Sequence, residues 1–184
     1  NILSVTRINT ADAKVTKTAE PVEEVVSEAV IRLKKRITDA DIHVKVPDDF
    51  LMIPMDAMLI EQVIINLLEN AVVHAKSTQP IDCYITYDDT SVSFHIRDYG
   101  TGIPLPVIFD GTGTAPTDNS DSSRGMGIGL SICQTIITAH DGTITARNIP
   151  SPESEAGQRR LTPFHRCSTA AEKTADPQGA KFCF

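Results

Sequence analysis

The sequence has no C-x-x-C pair: its four cysteines, Cys83, Cys133, Cys167 and Cys183, are widely spaced. That removes the zinc sites built on paired cysteines. Cys83 and Cys133 fall in apolar segments, which predicts buried thiols and a reducing, intracellular setting. No apolar run approaches the roughly 20 residues a membrane-spanning helix needs. No signal peptide opens the chain, and a start at Asn1 instead of Met reads as that of a fragment. Basic residues are in deficit, 17 against 24 acidic, for a net charge of −7. This argues against nucleic acid or an anionic membrane as the main partner. A small anionic ligand is not excluded, because local backbone dipoles hold phosphate whatever the global charge. There is no G-x-x-x-x-G-K-[ST] phosphate loop and no internal repeat.

What is present suits a packed domain with a short appendage: 184 residues, 41% of them hydrophobic. Residues 1–9 (NILSVTRIN) read as the last turns of a helix, and a polar linker follows to about Thr18. Pro21 suits a first helical turn, and apolar residues at 22, 25, 26, 29, 30, 33 and 37 have helical spacing. Ile42, Val44 and Val46 alternate with polar neighbours as in a strand, and Leu51–Ile53 is a second extended piece. Asp56 is a candidate N-cap for a helix running to about His74, with Leu59, Ile60, Val63, Ile64, Leu67, Leu68 and Ala71 as its apolar face. Strands are predicted at Ile81–Tyr87 and Ser91–Arg97, joined by a turn at Asp88-Asp89-Thr90. Residues 98–124 form a long loop, rich in Gly, Pro, Thr, Ser and Asp. A helix from about Gly127 to His140 stops at Gly142, and a strand covers Gly142–Asn148. Residues 149–178 show no clear period, and Ala180–Phe184 alternates as a closing strand. The expected fold is α+β, a two-layer sandwich with helices on one face of a largely antiparallel sheet.

Three short stretches stand out. In INLLENAVVHA (65–75), Gln62, Asn66, Asn70 and His74 form one stripe at four-residue spacing. This is either a solvated polar face or a row of neutral donors and acceptors facing a cleft, whose amide oxygens suit a hard cation such as Mg²⁺. In RDYGTGIP (97–104), Asp98 ends a strand, and Gly100 and Gly102 follow. That pattern fits an ordinary strand-to-loop turn, or a carboxylate with glycines that let backbone close on a flat ligand. In RGMGIGLSIC (124–133), Gly125, Gly127 and Gly129 alternate as a helix begins. Such glycines make a flexible hinge, or a helix start whose free N–H groups hold phosphate.

Taken together and in this order, the three stretches resemble the motifs of sensor histidine kinases. INLLENAVVHA resembles their N box, RDYGTGIP their D-x-G-x-G box, and RGMGIGLSIC their second glycine box. GTITARN and GAKFCF are similar to their last two strands. The resemblance covers about residues 1–148 and 179–184. ILSVTRI (2–8), PMDAMLIEQVIINLLENA (54–71) and IRDYGTGIP (96–104) look most like the KdpD potassium-responsive sensor kinases.

The resemblance implies the Bergerat-type ATP-binding α/β sandwich shared with gyrase, Hsp90 and MutL. Asp98 would accept a hydrogen bond from the adenine amino group. Gly100 and Gly102 would let the backbone close over the purine, with Ile103 against its face. Asn70 would bind a Mg²⁺ that bridges the phosphates, and Asn66 would hold the phosphates or position the metal. Gly125, Gly127 and Gly129 would line the triphosphate, with Arg124 as a phosphate-sensing cation. His74 belongs to the same cleft stripe, and Lys76 would stand in for the lysine the family often carries where this chain has Val73. Residues 1–18 would be the end of a dimerisation helix and its linker, 19–184 the catalytic domain, 104–124 an ATP lid, and 149–178 an insertion.

The implied reaction transfers the γ-phosphoryl group of ATP to a histidine on a dimerisation domain, mainly by positioning and charge neutralisation. The implied setting is a cytoplasmic domain of a membrane-anchored bacterial sensor in potassium or osmotic sensing, with a response regulator downstream. The phosphoacceptor box H-[DE]-x-R-x-P is absent, since the five histidines are followed by VKV, AKS, IRD, DGT and RCS. A catalytic fragment is therefore expected, without phosphorylation in cis. The lid reads IFDGTGT (108–114) where a second Phe belongs. Two alternatives remain. One is an ATPase or serine kinase of the same superfamily, which would carry Glu where Asn66 stands. The other is a degenerate module that binds partners and no nucleotide.

Overall fold

The computed structural model describes residues 15–74, 77, 79–102, 121–150 and 177–184, and only the backbone of 74, 121–128, 150 and 177–183. Residues 1–14, most of the proposed lid 104–124 (up to residue 120) and most of the expected insertion, 151–176, lie outside the described residues, as do Ile103 and Lys76.

Helix α1 (Val22–Arg36) follows its apolar periodicity closely. Val22, Val25, Val26, Ala29, Val30 and Leu33 are all buried. Glu23 and Glu24 in the first turn and Lys34, Lys35 and Arg36 in the last complement the helix dipole. Pro21 sits just before the helix as its N-cap residue, in extended conformation, not within the first turn. It ends strand β1 (Thr18–Pro21), which pairs antiparallel with β3 (Met52–Met55) in a small separate sheet. The pairing brings Thr18, expected at the end of a linker, into a strand.

The main sheet has five strands in the order β2-β4-β5-β7-β6. They are β2 (Ile42–Lys45), β4 (Ile81–Tyr87), β5 (Val92–Arg97), β6 (Thr145–Pro150) and β7 (Pro177–Cys183). Only β2 and β4 pair in parallel; the other pairings are antiparallel. The β4–β5 turn is tied by Asp88, whose carboxylate accepts the N–H groups of Thr90 and Ser91 at 2.8 and 2.9 Å. Those bonds to the charged form hold its carboxyl below the usual aspartate range. Strands β6 and β7 take in residues 149–150 and 177–178 from either end of the expected insertion.

Alternation decides the two faces of the sheet. Ile81, Cys83 and Ile85 of β4 and Phe94 and Ile96 of β5 are buried beneath the helices. Helix α2 (Ala57–His74) packs between α1 and α3 (Asp121–Ala139), and Val63, Ile64, Leu67 and Leu68 supply the centre of the core. The last residue closes the sheet: Phe184 exchanges both backbone hydrogen bonds with Phe94 and stacks on its ring at 5.1 Å. The two-layer α+β sandwich predicted from sequence is what forms. Cys83 and Cys133 are buried free thiols, and burial pushes both up to about 12.

Helix α3 departs from expectation at both ends. It begins at Asp121, so Gly125, Gly127 and Gly129 lie inside its second and third turns and not at its start. At its other end the left-handed residue is Asp141 (φ 63), not Gly142. Gly142 N–H reaches Ile137 O at 2.9 Å and Asp141 N–H reaches Thr138 O at 3.0 Å, the paired bonds of a Schellman ending. A Cβ at position 142 would crowd Ile137, lying 3.0 Å from its Cγ2.

Candidate functional site

Helix α2 is fixed first at its start. Asp56 caps it, with its Oδ1 accepting Leu59 N–H at 3.2 Å. Asp56 N–H in turn donates to His140 Nε2 at 3.0 Å, while His140 Nδ1 lies 2.8 Å from Ile136 O. Both bonds are satisfied by a neutral ring with its proton on Nδ1. The end of α3 is thereby tied to the start of α2 across 84 residues of sequence.

Further along, Cys133 Sγ of α3 lies 3.9 Å from both Val63 O and Asn66 Nδ2 of α2. These contacts make the two helices antiparallel. Asn70 is one turn beyond Asn66, and Gly129 one turn before Cys133, so the two stand level on facing helices. The amide stripe is real and ordered: Gln62 Nε2 donates to Asn66 Oδ1 at 2.7 Å. Asn70 Nδ2 is buried and has no hydrogen-bond partner. Among the described residues the space beside Gly129 is open, and a Cβ would touch none of them within 4 Å. Local packing therefore does not demand a glycine there. Val73, where the resemblance calls for lysine, is 55% exposed.

Asp98 joins the same end of the molecule by register. Asp82 pairs with Arg97, so the exit of β5 stands beside the entry of β4, which follows α2 in the chain. Asp98 is only 3% exposed, and its Oδ1 accepts Gly100 N–H at 3.0 Å. Gly102 has φ 73, a conformation that excludes most side chains. Tyr99 N–H is held by Ser77 Oγ at 3.2 Å, which connects this turn to the segment leaving α2. The structure thus places Asn66 and Asn70 on the side of α2 that faces α3, and Asp98, Gly100 and Gly102 on the turn leaving β5, which is tied to the segment after α2. For His74, Arg124, Gly125 and Gly127 it gives the backbone course alone.

The carboxylates of α2 face the other way. Its two acids, Glu61 and Glu69, both turn to α1. Arg32 Nη1 lies 3.1 Å from Glu61 Oε2, without hydrogen-bond alignment at that oxygen. Arg36 meets Glu69 through two contacts of 3.0 and 3.3 Å. Burial outweighs Arg32 and raises the Glu61 carboxyl above the usual range. The cleft side of α2 therefore carries amides and no carboxylate.

Among the described residues no group of three or more His, Cys, Asp or Glu could hold a metal. The donor set fits Mg²⁺ in another way. Mg²⁺ prefers oxygen and is usually held by one or two protein ligands with phosphates and waters completing it. The Asn70 amide oxygen would be one such ligand, and its unpartnered Nδ2, a donor, suits a phosphate oxygen, while the Asn66 oxygen is already engaged by Gln62. The sequence reading placed Gln62 on the stripe without giving it a role. It gave none to His140, whose partner is too distant in sequence for any local pattern to show.

Residues 55–183 match the family described as histidine kinase-, DNA gyrase B-, and HSP90-like ATPase. The sensor protein KdpD of Clostridium acetobutylicum is 46% identical over 80% of this chain, which spans 17% of that protein's length. Full-length ShkA in complex with AMPPNP superposes with a TM-score of 0.68 at 18% identity, over 99% of this chain and 33% of that one. Histidine kinase ThkA in complex with the response regulator protein TrrA gives a TM-score of 0.63 at 20% identity, over all of this chain and 46% of that one. No described helix is long and apolar enough to cross a membrane.

Proposed function

The chain belongs to the histidine kinase-, DNA gyrase B- and HSP90-like ATPase family, and we propose that it is the catalytic ATP-binding domain of a sensor histidine kinase. It would transfer the γ-phosphoryl group of ATP to a histidine on a separate dimerisation domain. One observation carries this choice within the family. A hydrolase needs a carboxylate on the cleft side of α2 to take a proton from water. Both acids of α2 are instead committed to Arg32 and Arg36 on the opposite side. A neutral amide takes no proton at ordinary pH. A neutral imidazole acceptor is already a nucleophile and does not require that proton to be taken first.

Asp98 would hold the adenine amino group, and Asn70 the Mg²⁺, with Asn66 set by Gln62 toward the phosphates. The metal would supply charge neutralisation of the phosphates. Helix α3 would bring Gly125, Gly127 and Gly129 to the triphosphate, with Arg124, His74 and Lys76 as further phosphate contacts and Ile103 on the purine. Because the glycines sit inside α3, phosphate contact through their N–H groups requires the first turns of that helix to open. A role in potassium or osmotic sensing follows from the likeness to KdpD, and a response regulator as downstream partner from the ThkA–TrrA complex.

The test is phosphorylation in trans. The chain, Mg²⁺ and radiolabelled ATP are mixed with a separately produced dimerisation domain from a KdpD-type sensor. Acid-labile label on that domain supports the kinase. Steady phosphate release by the chain alone selects the ATPase. Absence of nucleotide binding by calorimetry at saturating Mg²⁺ selects the binding module.

A further inference from the structure

The helices cover one face of the five-stranded sheet. The other face carries a row of charge running across the strands. Residues directly opposite one another on paired strands share a face. The register therefore places His43, Asp82, Arg97, Lys181 and Arg147 in one line across β2, β4, β5, β7 and β6. Asp82 is occupied at its own end of the line: it accepts Tyr99 Oη and lies 3.8 Å from His43 Nδ1. The next three positions are all cationic.

Like charges directly opposite each other destabilise a sheet. Three in succession are harder to explain in a chain with a net charge of −7, where carboxylates are plentiful. Among the described residues neither Arg97 nor Arg147 has a carboxylate within ion-pair distance, and none reaches Lys45 in the adjoining row. Arg97 is also held in place without one. Its guanidinium lies over the Tyr99 ring, 4.6 Å from the centroid, and its Nε is buried with no hydrogen-bond partner. A recess of about 620 Å³ opens beside it, lined by Lys45, Asp82, Tyr84, Thr86 and Tyr87 among others, with Asp82 engaged by Tyr99 Oη.

We propose that this sheet face is a docking surface for an acidic segment of a partner protein, whose carboxylates enter the recess at Arg97 and continue across β7 to Arg147. Strands stand about 4.8 Å apart, so Arg97 and Arg147, two strands apart, stand roughly 10 Å from each other. That suits successive carboxylates of a peptide better than one small anion. A lipid headgroup layer is the poorer fit, because Arg97 is half-buried and recessed beneath the plane a flat bilayer reaches. The surface is on the far side of the sheet from the α2–α3 seam, so docking and nucleotide binding are compatible.

The probe is a fluorescein-labelled peptide of eight Glu-Ala repeats, titrated with the whole chain and read by anisotropy. Arg97→Gln with Arg147→Gln is expected to weaken binding about tenfold, and Arg147→Gln alone about threefold, as for ion pairs of modest strength. Lys34→Gln with Lys35→Gln, an equal charge change on exposed α1 positions, is expected to leave it within twofold. Arg147 is exposed, so its variant keeps the test available if the Arg97 change disturbs folding. Rising salt is expected to weaken the contact by screening. Equal losses from the α1 variant and the sheet variant overturn the proposal, as does no measurable binding at low salt. Binding to vesicles with 30% phosphatidylserine that needs Arg97 and Arg147, with no peptide binding, makes the face a lipid site and also overturns it.

Discussion

Replacing Asp98 by Asn tests the site at its most sharply defined atom. The residue is 3% exposed and its Oδ1 accepts Gly100 N–H at 3.0 Å. Asparagine keeps the volume and retains an oxygen for Gly100, so the turn should survive and the thermal midpoint should move little. What changes is the second position of the side chain. A carboxylate oxygen that would accept from the adenine amino group becomes an amide that would donate toward it. A hydrogen bond to a charged group is worth about 1.5–3 kcal/mol, and 1.4 kcal/mol is about tenfold in affinity. Titration calorimetry with saturating Mg²⁺ should therefore show ATP binding weakened by roughly 10- to 150-fold. The variant also has a signature that a general loss of fold would not give. Inosine triphosphate presents an oxygen where ATP has its amino group, so Asp98→Asn should bind it relatively better than the parent does. Unchanged ATP affinity refutes the assignment of Asp98. Equal losses for both nucleotides refute the donor–acceptor reasoning even if ATP binding falls.

Other substitutions probe the supports of the cleft. Burial raises the Glu61 carboxyl in the folded chain, so the folded state holds that proton more tightly than the unfolded one. Its contribution to stability is present below the unfolded pKa and is lost as pH rises through the raised folded value. Glu61→Gln should flatten that part of the stability–pH curve and cost little at pH 7 in urea melts; a loss of about 3 kcal/mol, as for a broken buried ion pair, refutes this. His140→Phe removes the acceptor of Asp56 N–H and should lower stability by about 1–2 kcal/mol, measurable as a shifted denaturation midpoint. Gly142→Ala places a Cβ 3.0 Å from Ile137 Cγ2 and should cost about 1 kcal/mol by crowding; an unchanged midpoint shows that Ile137 yields freely.

The elements that could be read from the chain were those whose own pattern repeats. The apolar faces of α1 and α2 and the alternation of β4 and β5 each carry enough periods to identify themselves. Strands β1 and β3 have four residues each and contain Pro21 and Pro54, so β1 gave no signal and β3 only the short extended piece Leu51–Ile53, without its pairing. The early start of α3 falls on serine and glycine, poor helix formers that give no signal. Its ending was misassigned between neighbours because glycine is the usual left-handed residue, and here Asp141 takes that conformation. For the site, the three motifs named the residues, but no pattern in α2 revealed that Glu61 and Glu69 turn away from the cleft. That fact depends on Arg32 and Arg36, which lie on another helix. The Asp56–His140 bond was invisible for the same reason.

That bond has a mechanical consequence. Asp56 and His140 pin α2 and α3 together at one end, and Cys133 adds a soft contact part-way along. Beyond it the facing helices are two arms of a pair of tongs, with Asn70 on one and Gly129 on the other. Asn70 is 14 residues from the pivot, roughly 21 Å at 1.5 Å per residue. A change of about 10° in the angle between the arms therefore moves the jaw by roughly 4 Å, more than the length of a hydrogen bond. An adjustment at the pinned end would be amplified where the asparagine and the glycine face each other, against the core packing of Leu130 and Ile136 that also holds the arms together.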